Sequence, residues 1–68
     1  MSTANIYKKA AEQGDAEAQF NLGLSYYYGR GCKKNRIEAT RWFAAAVKNG
    51  HKGAKKFLDE EKNGDVFV

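Results

Sequence analysis

Ala10-Ala11-Glu12-Gln13-Gly14-Asp15-Ala16-Glu17-Ala18-Gln19-Phe20-Asn21-Leu22-Gly23 is the stretch that decides the fold. Four of its residues, Ala10, Gly14, Ala18 and Leu22, return as Ala46, Gly50, Ala54 and Leu58, each 36 positions later. Looser matches accompany them: Tyr7 falls on Phe43, Ala11 on Val47 and Gln13 on Asn49. A period of this size marks an array of helical hairpins. The matched residue types have physical meaning. Alanine recurs where two helix axes approach closely, and leucine recurs on a buried stripe. Glycine recurs where a helix ends and the chain enters a left-handed cap.

Outward from this stretch the elements follow. A first helix is predicted from about Thr3 to Gln13, capped by Ser2 or Thr3 and closed by Gly14. A second runs from about Ala16 to Tyr28 behind Asp15, whose carboxylate accepts free N–H groups at the positive helix end. Gly29 to Lys34 reads as a loop, with Arg30 exposed at its tip. Asn35 caps a third helix that reaches about Lys48, and Glu38 three residues on fits a capping box. The fourth spans about Lys52 to Lys62, and the tail from Gly64 to Val68, apolar over Asp65-Val66-Phe67-Val68, is expected to fold back over it, the alternative being a ligand for another protein's sheet edge or groove. The expected fold is all-α, with about four short antiparallel helices. A complete hairpin at about 15–49 is flanked by half-repeats at 3–14 and 51–62.

Composition narrows the function. Sixty-eight residues make one small domain, whose core yields roughly 3–5 kcal/mol. Cys32 is the sole cysteine, so there is neither a disulfide framework nor a Cys/His zinc set. No apolar run approaches the ~20 residues that span a bilayer, and no segment reads as a secretory signal. The expected location is cytoplasmic. A net charge of +4 fits solubility. Two basic knots, Lys33-Lys34-Asn35-Arg36 and Lys52-Gly53-Ala54-Lys55-Lys56, could meet acidic protein or nucleic acid. Interleaved carboxylates such as Glu12, Asp15, Glu17 and Glu38 break a continuous phosphate track, which disfavours RNA.

The stretch quoted above resembles the Sel-one-like repeat, a sub-class of the tetratricopeptide-like superfamily. The likeness continues through Tyr26-Tyr27-Tyr28-Gly29-Arg30-Gly31-Cys32, Glu38-Ala39 and Trp42-Phe43 to Ala46-Val47-Lys48-Asn49-Gly50. It covers roughly residues 4 to 58. The resemblance implies a right-handed α–α superhelix that binds other proteins on a concave face. Departures also carry information. After Gly50 the usual acidic-Ala-Gln run becomes His51-Lys52-Gly53-Ala54-Lys55, and Asp59-Glu60-Glu61 replaces a Gly-x-x-Tyr continuation. This departure, with the start at Met1, leads us to expect a natural short chain.

Chemistry-bearing residues point away from catalysis. Cys32 reads as an apolar plug under the loop, since a catalytic thiol wants a nearby histidine. His51, the one histidine, reads as exposed and uncommitted. Gly29-Arg30-Gly31 lacks the strand–loop–helix setting of a phosphate loop. No catalytic residue, metal ligand or cofactor is expected. Gly23 inside the second helix costs about 1 kcal/mol against alanine and so implies a close neighbour, the third helix. Tyr26 continues the Ala18–Leu22 row inward. Leu24, Tyr27 and Tyr28 either line a partner surface or lie beneath neighbouring helices. Tyrosine suits such a surface by pairing apolar area with a polar tip. The candidate docking set is Phe20, Leu24, Tyr27 and Tyr28 with Lys52, Lys56 and Glu60 as its charged rim. The expected partner is one other protein, either docked or blocked as by a small inhibitor. A homodimer completing a longer array is the alternative.

Overall fold

The computed structural model describes the backbone of residues 3–66 and the side chains of residues 5–59. Four helices follow in order: α1 (Thr3–Glu12), α2 (Ala16–Tyr28), α3 (Arg36–Lys48) and α4 (Lys52–Val66). Each packs on the next, and the α2–α3 contact is the most extensive. The all-α helical repeat expected from the 36-residue period is the fold observed.

The repeat reappears as backbone chemistry at the two matched turns. Gly14 N–H donates to Ala11 O at 3.1 Å, and Gly50 N–H donates to Val47 O at 2.9 Å. Asp15 N–H donates to Ala10 O at 3.2 Å, and His51 N–H donates to Ala46 O at 2.9 Å. Both glycines sit at positive φ, 95° and 97°, where a side chain would strain the backbone. The same bonds are thus formed at both turns, 36 residues apart.

The core forms in two adjoining parts. Ala11, Ala18 and Leu22 join α1 to α2, with Tyr7, Ala10, Tyr26, Cys32 and Trp42 packed around them. Ala39, Phe43, Ala46 and Ala54 join α3 to α4, flanked by Phe20, Leu24, Tyr26, Tyr27, Val47, Phe57 and Leu58. Tyr26 belongs to both, as its place on the inward row requires. Cys32 lies under the loop as expected, its thiol donating to Ser25 O at 3.5 Å. Gly23 meets α3 as its position implies: a Cβ there would stand 2.7 Å from two ring carbons of Phe43. Buried Gln19 ties three helices together. Its Nε2 donates to Ala11 O at 3.0 Å, and its Oε1 accepts from Asn49 Nδ2 at 3.0 Å.

Four sequence expectations need correction. The first helix ends at Glu12, and Gln13 already belongs to the turn. The fourth helix does not stop near Lys62 but continues through Gly64 to Val66. One glycine costs a helix only about 1 kcal/mol, and no proline follows to break it. The fold-back expected from Gly64 is therefore replaced by helix as far as Val66, while Phe67 and Val68 lie outside the described residues, as does the Ser2 cap. The capping box at α3 is half made. Glu38 N–H donates to Asn35 Oδ1 at 3.0 Å, but the Glu38 carboxylate turns to Arg41 at 3.3 Å. The Asn35 N–H instead donates to Tyr26 O at 2.9 Å.

The fourth correction is His51, which is neither exposed nor uncommitted. Its Nδ1 accepts from Ala54 N–H at 3.1 Å, so the imidazole caps α4. Asp15, 36 residues earlier, caps α2 in the same way by accepting from Ala18 N–H at 3.1 Å. With Nδ1 accepting, Nε2 carries the proton and donates to Glu17 Oε2 at 2.9 Å. The ring also stacks on Phe20 at 4.2 Å between centroids. A histidine there does what an aspartate does in the first turn and adds an apolar face.

Candidate docking surface

The predicted docking residues sit on α2 and α4, and the structure sorts them by depth. Phe20 is half-buried between the His51 ring and Phe57, 5.7 Å away, and Phe43, 5.9 Å away. Leu24 is half-buried against the α3–α4 core. Tyr27 is also half-buried, with Phe57 at 6.0 Å and Phe43 at 6.2 Å. These three stand partly beneath α3 and α4 and give only their outer edges to solvent. Tyr28 differs: it is 53% exposed. Its ring meets Tyr27 edge to face at 4.9 Å. Lys52 and Lys56 are exposed on α4. The Glu60 side chain lies outside the described residues.

Phe57 is the residue that sequence reasoning missed. It stacks on Phe43 at 5.2 Å and reaches Phe20 and Tyr27, so it joins α4 to α2. The period hid it, because its counterpart 36 residues earlier is Asn21. The two arginines beside the tyrosines were missed as well. Arg30 lies over the Tyr28 ring, its guanidinium carbon 5.3 Å from the centroid. Arg36 lies over Tyr27 at 5.2 Å. Their signal was present in the basic knot at 33–36 and in the exposed loop tip, but nothing in the sequence joined them to the aromatic run.

On another side of α3 there is a hollow of about 320 Å³ lined by Glu38, Arg41, Trp42 and Ala45. Among the described residues no cluster of histidine, cysteine and carboxylate side chains could hold a metal ion. Among them too, no helix is long and apolar enough to cross a membrane.

Comparison with known proteins gives a consistent picture. The model of the Sel1 repeat matches residues 5–15 and 16–51. The ERAD-associated E3 ubiquitin-protein ligase component HRD3A of Arabidopsis thaliana is 36% identical over 56 residues, 81% of this chain and 8% of that protein. The chitin synthase regulator SKT5 of Saccharomyces cerevisiae is 38% identical over 56 residues, 82% of this chain and 8% of its own length. The crystal structure of a Sel1 repeat protein from Oxalobacter formigenes superposes with a TM-score of 0.78 at 49% identity. That match covers 81% of this chain and 23% of the other. The chain thus spans less than a tenth of the length of these two curated relatives.

Proposed function

The chain belongs to the Sel1 repeat family, and on that premise we propose that it is a docking module that holds one protein partner on the face shared by α2 and α4. Sel1 repeat proteins generally mediate protein–protein interaction, and the repeat is a non-catalytic scaffold type. The observation that carries the reading is Tyr28. A large aromatic side chain, 53% exposed, stands at the end of a repeat helix whose other aromatics already fill the core. Exposed aromatic anchors beside half-buried apolar neighbours are the usual sites of binding energy at interfaces. Phe20, Leu24 and Tyr27 contribute the apolar floor, and Lys52 and Lys56 contribute charge at the rim. The names of the two relatives are in keeping: one is a component of a ligase and the other a regulator of a synthase.

The test is a quantitative affinity purification with immobilised wild-type chain and two surface variants, Tyr28→Ala and Lys56→Glu. Both positions are exposed, so both variants keep the wild-type circular dichroism. Truncating an anchoring tyrosine costs about 2 kcal/mol or more at an interface. Tyr28→Ala therefore loses most of the partner that the wild type retains. Equal recovery by wild type and both variants would sink the proposal.

A further inference from the structure

Helix α1 carries the apolar row of α3 one repeat earlier: Ile6, Tyr7 and Ala10 stand 36 residues before Trp42, Phe43 and Ala46. On α3 this row is closed. Phe43 and Ala46 are fully buried, and Trp42 is half-buried against the α1–α2 core. On α1 the row is open. Ile6 is 61% exposed, and Tyr7 and Ala10 are only half-buried. The cover that Tyr7 lacks has a known counterpart, because Phe43 is held from two sides. Helix α4 gives it Phe57, stacked at 5.2 Å, and α2 gives it Gly23, Phe20 and Tyr27. Tyr7 packs on Ala11, Ala18 and Leu22, and in the repeat α2 stands to α1 as α4 stands to α3. The open side of α1 is therefore the side that α2 closes on α3.

What α2 offers α3 defines the chemistry of a helix that would fit α1. A glycine lets the ring settle on the helix backbone, an aromatic residue three positions before it flanks the ring, and a glutamine four positions before it pairs with Asn49. Gln13 stands in the place of Asn49, exposed, and carries the same carboxamide. One position departs from the copy and sets a charge. Where α2 meets the start of α4, Glu17 contacts His51 at 2.9 Å. Asp15 stands in the place of His51. A helix arriving on α1 thus brings its residue at the Glu17 position to a carboxylate, which repels glutamate and attracts lysine or arginine. A second copy of this chain offers no such helix. Its α2 is already taken by Phe43, and its α4 has Lys55, Lys56 and Asp59 where α2 has Gln19, Phe20 and Gly23.

We propose that α1 is a second docking surface, on which Ile6, Tyr7 and Ala10 seat a helix of the α2 type belonging to another protein, with a glycine against Tyr7 and a basic residue against Asp15. Burial of Ile6 and Tyr7 supplies the affinity, and the Asp15 carboxylate selects among helices of the same pattern. The surface lies apart from the face shared by α2 and α4 and does not depend on it.

Fluorescence anisotropy tests it with the full chain. The probe is a fluorescein-labelled peptide copying residues 15–29 with Glu17→Lys, held helical by a side-chain cross-link on the side away from Gly23. The same peptide with its glutamate kept, and one with Gly23→Leu added, are the comparison arms. The lysine peptide is expected to bind saturably, and the glutamate peptide to bind about fivefold or more weakly. Leucine at the glycine blocks the seat for the ring and weakens binding by about tenfold or more. In the chain, Ile6→Asp changes an exposed position, keeps the wild-type circular dichroism and weakens the lysine peptide by about tenfold. Asp15→Asn still caps α2 but erases the preference for lysine over glutamate. Tyr28→Ala leaves peptide binding unchanged, so loss of the α2–α4 face and loss of the α1 surface are told apart. Absent saturable binding, or unchanged affinity in Ile6→Asp, overturns the proposal. Preference for the glutamate peptide also overturns it, because that peptide would then be replacing the chain's own α2 beside His51. So does a concentration-dependent dimer in sedimentation that Ile6→Asp abolishes, since the occupant would then be a second copy.

Discussion

Replacing Gly23 by alanine sets two effects of known size against each other. Alanine favours a helix interior over glycine by about 1 kcal/mol, so helix propensity alone makes Gly23→Ala stabilising. The added methyl, however, would lie 2.7 Å from Cδ1 and Cε1 of Phe43 and 3.3 Å from its Cγ. Phe43 cannot yield cheaply. It is fully buried and boxed by Phe20, Tyr27 and Phe57, all with ring centroids within 6.2 Å. Forcing a methyl into such a site costs roughly 1–3 kcal/mol, and the rigidity of the box points to the upper half of that range. The net expectation is a loss of about 1–2 kcal/mol. In a domain of this size that lowers the melting temperature by roughly 5–15 °C. Thermal unfolding followed by circular dichroism reads it directly. A Phe43→Leu background supplies the internal check, because it removes the clashing ring. There Gly23→Ala should cost little, with a coupling on the order of 1–2 kcal/mol. A variant that melts at or above wild type, or one whose cost is the same in both backgrounds, refutes the reasoning.

Two further substitutions probe the features that the repeat itself positions. His51→Ala removes the cap of α4 and the stack on Phe20, a loss of about 1–2 kcal/mol from the two together. Amide hydrogen exchange should speed up first at Ala54, and His51→Asp, which copies Asp15, should restore the cap without the stack. Gln19→Leu leaves the Ala11 carbonyl and the Asn49 amide without their buried partner, which costs roughly 1–3 kcal/mol. The urea midpoint falls with the slope unchanged, and an unmoved midpoint contradicts the bridging role.

What could be read beforehand follows from what a period encodes. Alanine, glycine and leucine at a step of 36 fix helix contacts and helix ends, so α2 and α3 lie within the bounds expected for them. Gly23 named its own neighbour, because a glycine in a helix interior needs a reason and a buried aromatic ring is a sufficient one. The period also held the answer for His51, which stands where Asp15 stands; the residue type masked the equivalence, since an imidazole is rarely thought of as a cap. Phe57 was not legible, because it has no counterpart in the repeat and acts only once α2 and α4 are adjacent. The same holds for the row of Arg30, Tyr28, Tyr27 and Arg36. It joins two helix ends across a loop whose path depends on backbone bonds that no side-chain pattern announces.

The register also bears on what α4 is for. On α2 the seat for Phe43 is made by Gly23 and Phe20, with buried Gln19 next to Phe20 in the chain. Thirty-six residues later these positions hold Asp59, Lys56 and Lys55, all exposed. A ring cannot settle on Asp59 as Phe43 settles on Gly23, and two lysines replace the phenylalanine and glutamine beside it. Helix α4 therefore keeps the side of the repeat that faces α3, through Ala54, Phe57 and Leu58, and gives up the side that would seat another helix in the same manner. Its outward charges are then available for solvent or for a partner rather than for stacking. An apolar, aromatic surface persists at the other end of α2, around Tyr28. The two ends of the described structure thus differ in kind, and a partner that approaches along α2 meets lysines at one end and arginine-backed tyrosines at the other. Removing charge at Lys55 and Lys56 should chiefly slow association, whereas altering Arg30 or Tyr28 should chiefly speed dissociation. The ratio of those two rate changes in a single kinetic binding experiment separates the steering end from the anchoring end.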